Sequence, residues 1–239
     1  MVCVLTIVIA DAELETVPIE MREDYSIQKI SRERKKRPEN MILDSNFMHA
    51  SIERYFPGES RRRGRPDIIH ILMLVALESI LNKIGSLRIM IHTRNNLIID
   101  VSPETRIPRA YNRFIGLFEK LFSERKIVAD GKALLSIRDG TVHDALGKSA
   151  QHVVVLAPGG EISSVSEVVR EPGDLVVVIG GFSEGNYKSD LGQYGRRTIF
   201  REELTIWSVA MEVITEYERK NDFMKGYSLD RLPRGSREI

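Results

Sequence analysis

Apolar residues recur along this chain in two rhythms. Short aliphatic and β-branched runs between polar breaks predict strands at Val2–Ala10, Leu87–His92, Leu97–Val101, His152–Leu156 and Leu175–Ile179. The last two are almost wholly apolar, as suits strands covered on both faces of a parallel sheet. Spacing of three to four residues predicts helices. One runs from Pro66 to about Leu81, with proline at its first position and Gly85 beyond its end. A second spans Arg109 to about Ser123, where Tyr111, Phe114, Ile115, Phe118, Leu121 and Phe122 form one stripe. A third spans about Glu202 to Arg219 and carries Leu204, Trp207, Val209, Met211, Val213 and Ile214. Glu202 and Glu203 then fall at its start, where the helix dipole favours acids.

Glu20 to Asn40 is highly charged and poorly periodic, and reads as a surface loop or short helix with some mobility. Asn221–Ile239 is polar and reads as a flexible tail without a core role. Strands followed by a C-terminal helix imply one α/β domain over residues 1–239. The stretch from about 54 to 125 looks like a basic insertion or flank.

Composition narrows the class. The chain has 239 residues, 42% of them hydrophobic, which is enough for a core. Its single cysteine, Cys3, lies in an apolar run, so neither an internal disulfide nor a cysteine-built zinc site is available. That usage fits a reducing compartment and a cytoplasmic location, or a nucleolar one in a eukaryote. No run approaches the roughly 20 apolar residues that cross a bilayer, so no membrane role is expected. The five histidines, at 49, 70, 92, 143 and 152, have no metal-ligand spacing, and no metal is expected. His70 reads as a hydrogen-bonded core residue.

The net charge of +1 hides a segregation. Residues 61–113 hold ten Lys/Arg and four Asp/Glu, a local balance of +6, against 25 and 30 elsewhere, or −5. Such clustering focuses a positive field on one surface. Arg61-Arg62-Arg63-Gly64-Arg65-Pro66-Asp67 leads into a helix, and Asp67 is close enough to hold Arg65. The run fits a phosphate site or, equally, a solvated loop with a capping aspartate. Arg106-Ile-Pro-Arg109 with Arg113 offers a second row of guanidiniums suited to a phosphate backbone or a splayed base, or an ordinary solvated face. Two apolar runs end in glycine pairs, Val153 to Gly160 and Val176 to Gly185. If those strand ends lie side by side they line one pocket; the default reading is a pair of tight turns.

These pieces, in this order, resemble the small-subunit rRNA pseudouridine-N1-methyltransferase family, over roughly Met41 to Tyr217. The carrying segments are Ile42-Leu-Asp-Ser45 with His49, Arg62-Arg-Gly-Arg-Pro-Asp-Ile-Ile-His70, Leu81-Asn-Lys-Ile-Gly85, Ile91-His-Thr93, Arg106-Ile-Pro-Arg109 with Arg113, and the Gly180–Gly185 turn. The resemblance implies a SPOUT-type α/β knot: a mostly parallel sheet, a C-terminal trefoil knot, and the basic extension. It implies a homodimer, S-adenosyl-L-methionine as methyl donor, small-subunit rRNA as partner, and ribosomal assembly proteins as further partners. Arg65, Arg106, Arg109 and Arg113 are then the RNA-contacting residues. Asp67 steadies Arg65 and is a poor catalytic base. The cofactor residues are Leu156, Gly180, Gly185, Asn186, Tyr187, Ile199, Phe200, Arg201, Glu202, Glu203 and Leu204. Phe200-Arg-Glu-Glu-Leu204 departs from the family's usual loop sequence. That departure supports one alternative, a non-catalytic RNA-binding assembly factor; an enzyme of the same class acting on another RNA position is a further one.

Overall fold

The computed structural model describes residues 3–147, 152–170 and 173–221. Eight strands form one sheet: β1 Leu5–Ala12, β2 Leu87–Thr93, β3 Leu97–Val101, β4 Lys126–Ala129, β5 Lys132–Asp139, β6 Val153–Ile162, β7 Leu175–Gly180 and β8 Arg196–Thr198. Their order is β4-β5-β3-β2-β1-β7-β6-β8. β1 pairs in parallel with β2 and β7, and β6 in parallel with β7 and β8. β3 is antiparallel to β2 and β5, and β4 to β5. The sheet is therefore parallel through its centre and one side, and antiparallel on the other.

β1 explains why the centre lies where it does. Apart from Thr6, every residue of Leu-Thr-Ile-Val-Ile-Ala-Asp-Ala is buried. Leu5, Ile7 and Ile9 face one core and Val8 and Ala10 the other, as period-two alternation requires. The first core lies under three helices, α3 Pro66–Leu77, α5 Tyr111–Glu124 and α8 Ile206–Lys220. The second lies under the short helix α6 Val142–Leu146 together with Tyr187, Leu191 and Tyr194. A third cluster, from Val17 to Ile52, packs beneath α1 Tyr25–Arg34 and α2 Ser45–Tyr55. Two short helices, α4 Ile80–Lys83 and α7 Val165–Val168, complete the set.

Several expectations need correcting. β1 begins at Leu5, not Val2, which lies outside the described residues, and continues past Ala10 through a register shift at Asp11, whose φ is +52°. The helix expected over Pro66 to Leu81 breaks at Glu78. The Ser79 hydroxyl donates to Ala76 O at 2.7 Å and accepts from Asn82 N at 3.2 Å, so it ends α3 and caps α4. The final helix starts at Ile206, with Thr205 at its N-cap position but no side-chain capping hydrogen bond; Glu202, Glu203 and Leu204 precede it in a loop. α5 starts at Tyr111, so Arg109 stands outside it and does not share a helical face with Arg113.

The charged stretch Glu20 to Asn40 is mostly helical. Buried Asp24 caps α1 by accepting from Ser26 N and Ile27 N, an interaction worth about 1 kcal/mol. Met21 and Ile27 fill the third cluster. The stretch 54–125 is no appendage, because it supplies β2 and β3 to the interior of the sheet. The hairpin β4–β5 was not anticipated. Its turn residues Asp130 and Gly131 have φ of +50° and +75°, the Asp-Gly pattern of a tight hairpin. The tail from 222 to 239 lies outside the described residues.

Candidate functional site

β6 and β7 lie side by side in parallel, with Leu156 opposite Ile179. The chain leaves β7 through Gly180 and Gly181, loops to β8, and runs through residues 199–204 into α8. These segments enclose a cleft of about 590 Å³ at the carboxyl ends of the strands. That position is where open α/β sheets bind ligands, and that volume suits a small organic molecule.

All eleven residues expected at the cofactor meet here. Leu156 and Gly180 sit at the strand ends, Gly185, Asn186 and Tyr187 form one wall, and Ile199, Phe200, Arg201, Glu202, Glu203 and Leu204 form the other. Pro158, Gly160 and Phe182, from the two glycine-ended runs expected to line one pocket, join them, and so do Ile206 and Val209, which the sequence reading missed. The lining mixes apolar side chains with exposed backbone and with the charged Arg201, Glu184, Glu202 and Glu203.

The walls are held from behind. The Tyr187 hydroxyl donates to Leu156 O at 2.6 Å, and its ring meets Phe182 edge-on at 5.4 Å. Burial, with the Asp11 charge adding to it, pushes this phenol well above its ordinary range. The buried Asp11 carboxylate accepts from Lys188 N at 2.7 Å, Ser189 N at 2.9 Å and the Ser189 hydroxyl at 2.6 Å. Gly180 and Gly181 serve packing: a Cβ at Gly180 would lie 2.5 Å from the Phe182 ring, and one at Gly181 would lie 2.6 Å from Ala12 Cα.

Below the cleft, three acids follow β1's apolar run at every second position. Asp11, Glu13 and Glu15 are all buried. Glu15 takes a bidentate pair from Arg63 at 2.6 and 3.0 Å, and Glu13 takes Arg62 and Arg94, both at 2.7 Å. Arg94 also reaches Glu59 at 2.7 Å. Burial opposes the charge of Arg94, but Glu13, Glu15 and Glu59 outweigh it and hold its pKa above the usual value. The arginine run 61–65 is therefore not one solvated phosphate site: Arg62 and Arg63 serve the interior. The signal was present in the sequence as alternating acids just after a buried strand.

Arg65 behaves as expected. Its guanidinium donates to both oxygens of Asp67, at 2.9 and 2.7 Å. That hydrogen bond raises the pKa of Arg65 against the cost of its partial burial. Near it the Tyr111 hydroxyl donates to Asp44 at 2.7 Å. Burial first, then Asp44, pushes the Tyr111 phenol upward. His70 is a core residue, as expected. Its ring lies 4.5 Å from that of Phe114, and Nε2 pairs with Pro108 O at 2.8 Å, which fixes the turn carrying Arg106 and Arg109. Arg106, Arg109 and Arg113 are exposed. Arg106 and Arg109 border a groove with Leu77, Glu78 and Lys83. The hydrogen bond from Lys83, then the charges of Lys83, Arg109 and Arg106, lower the Glu78 pKa, so these cations share a negative neighbour.

A mixed α/β sheet with a backbone-walled cleft at its strand ends and a cationic flank defines a ligand-binding α/β protein. The family described as EMG1/NEP1 methyltransferase matches residues 7–218, and the chain belongs to that family. The Ribosomal RNA small subunit methyltransferase Nep1 of Thermoplasma acidophilum is 51% identical over 217 residues, spanning 90% of this chain and 97% of that one. Its counterpart from Thermoplasma volcanium is 49% identical over the same spans. The crystal structure of Archaeoglobus fulgidus Nep1 bound to S-adenosylhomocysteine superposes with a TM-score of 0.81 at 33% identity, covering 93% of this chain and 100% of that one.

Proposed function

We propose that this protein transfers a methyl group from S-adenosyl-L-methionine to N1 of a pseudouridine in small-subunit ribosomal RNA, during small-subunit assembly. The observation that carries this reading is the single cleft lined by all eleven residues expected at the cofactor. The lining fits the group. Leu156, Ile179, Ile199 and Leu204 offer apolar surface for a purine, and the backbone of 180–187 and 199–204 offers donors and acceptors that do not depend on side-chain identity. Arg201 suits the cofactor's carboxylate, and Glu184, Glu202 and Glu203 suit its positive charges. The departure at 200–204 therefore leaves the wall intact, so a non-catalytic scaffold gains no support from it.

When bound, the cofactor supplies an electrophilic methyl group on sulfur. The protein's share is positioning, which dominates a displacement that needs its reacting atoms in line. Arg65, Arg106, Arg109 and Arg113 grip the RNA and present one base out of its loop. Asp67 fixes the Arg65 fork. Each Asp67 oxygen already accepts from that fork, which makes Asp67 a poor acceptor for the base's N–H proton, and water or the RNA takes it. Pseudouridine is selected chemically, because its N1 bears a hydrogen whereas the N1 of uridine is bonded to the sugar. The reading extends to a trefoil knot around the cleft, a homodimer, association with ribosomal assembly proteins and a cytoplasmic setting. No helix among the described residues is long and apolar enough to cross a membrane.

Mass spectrometry of a stem-loop incubated with protein and donor tests the activity. A mass gain of one methyl on the pseudouridine RNA, and none on its uridine twin, is expected; methylation of the uridine twin, or of neither, contradicts it. A second result concerns the arginines. Arg109→Ala and Arg113→Ala should each weaken RNA binding, lower the salt slope by about 0.7 per lost phosphate contact, and leave cofactor affinity unchanged. Loss of cofactor affinity with RNA binding intact would place these residues at the other site.

A further inference from the structure

We infer that Arg62 is a positioning residue for the cofactor: it holds the 182–187 wall of the cleft in its ligand-ready pose from behind. This deepens, and rests on, the reading of the cleft as the S-adenosyl-L-methionine site.

Arg62 projects from the segment before α3, far in sequence from the cleft, yet its head meets the wall on three sides. Nη1 donates to Asn186 O at 2.7 Å and approaches Glu184 O at 3.5 Å. The guanidinium carbon lies 4.0 Å from the Phe182 ring centroid. A Cβ at Gly185, where φ is +86°, would lie 3.1 Å from Nη1, so the wall closes directly on the guanidinium. Next to it the Ser183 hydroxyl donates to Arg61 O at 2.7 Å. The cleft wall is thus tied to residues 61–62 at Phe182, Ser183 and Asn186.

The anchor behind Arg62 is rigid. Its Nε donates to Glu13 Oε1 at 2.7 Å, and Glu13 is wholly buried. Glu13 is itself fixed by Arg94 on its other oxygen at 2.7 Å and by its own N–H, which donates to Gly181 O at 3.0 Å. One carboxylate therefore orients Arg62 while its backbone pins the root of the same wall. Arg62 Nη2 is buried with no hydrogen-bond partner among the described residues.

The physical consequence is preorganisation. Ser183, Glu184, Gly185 and Asn186 are exposed. Without Arg62 these residues sample other conformations, and the ligand must select the competent fraction when it binds. Affinity falls while the geometry at saturation stays the same.

The test is cofactor and RNA binding by the full chain, with steady-state kinetics on the pseudouridine stem-loop. Arg62→Met keeps an apolar stem about as far as the Nε position but removes the donors and the guanidinium that lies over Phe182. We expect it to raise the Kd and KM for S-adenosyl-L-methionine about tenfold, with kcat at saturating cofactor and RNA affinity both near those of the parent. Arg62→Lys reaches either Glu13 or Asn186 O but not both in the same fork, and should recover part of the loss. It also decides the matter if Arg62→Met does not fold. A folded variant with parental cofactor affinity overturns the inference and leaves the cofactor reading intact. A fall in kcat with unchanged KM overturns it in favour of a role at the reacting atoms. Failure of the parent protein to bind the cofactor overturns both.

Discussion

Arg63→Met is expected to lower folding stability by about 3–5 kcal/mol, the usual cost of leaving one partner of a buried pair behind. Arg63 is only 9% exposed and Glu15 only 4%. Their two hydrogen bonds, 2.6 and 3.0 Å long, align a planar fork with a carboxylate. The guanidinium also lies 3.8 Å from the Phe56 ring centroid, which closes the third cluster. Without Arg63, Glu15 keeps Asn95 at 3.1 Å and a distant Arg94 at 3.9 Å, which together cannot match a bidentate partner. Urea denaturation measures the loss. The double variant Glu15→Met with Arg63→Met should regain most of it, because removing both charges removes the desolvation burden. A loss below about 1 kcal/mol in the single variant, the range of exposed pairs, would mean that the pair is not desolvated in solution.

Gly160→Ala should damage function more than fold. A Cβ there would stand 2.7 Å from the backbone carbon of Arg197 and 2.8 Å from that of Arg196. Neither neighbour is a flexible side-chain tip, so β8 must move away from β6. β8 is a three-residue strand at the sheet's edge and leads directly into residues 199–204. Displacing it leaves the central core in place but shifts one whole wall of the cleft. Overpacking strain of about 1–3 kcal/mol, spent on that wall, corresponds to a loss of cofactor affinity of about fivefold to 150-fold. Calorimetric titration with S-adenosyl-L-methionine, beside a thermal melt, reads both effects. Parental affinity would show that the 199–204 wall does not touch the cofactor.

The strands were legible because aliphatic and β-branched residues dominate each run: β3 matches to the residue despite Asp100, and β2, β6 and β7 match with displaced ends. Helix ends were less legible, since a single side chain can decide them, as Ser79 does where α3 gives way to α4. The β4–β5 hairpin was missed although Asp130-Gly131 announces it, because alternation in so short and exposed a segment is faint. The interior role of Arg62 and Arg63 was illegible by composition alone. A guanidinium in solvent and one sealed against Glu13 or Glu15 read alike until β1 and the 61–65 segment are brought together. The strand-end side of the cleft was legible from the two glycine-ended runs, whereas its 199–204 wall depended on the resemblance, since those residues have no regular pattern.

The central claim is that one cleft seats the methyl donor and an arginine flank feeds it a base. A crystal structure of the protein with S-adenosylhomocysteine and a pseudouridine stem-loop tests this most directly. The account predicts the ligand between residues 180–187 and 199–204, with Arg65, Arg106, Arg109 and Arg113 on the RNA and the pseudouridine N1 facing the sulfur. A ligand seated elsewhere, or RNA bound on another face with no path from base to sulfur, would contradict it.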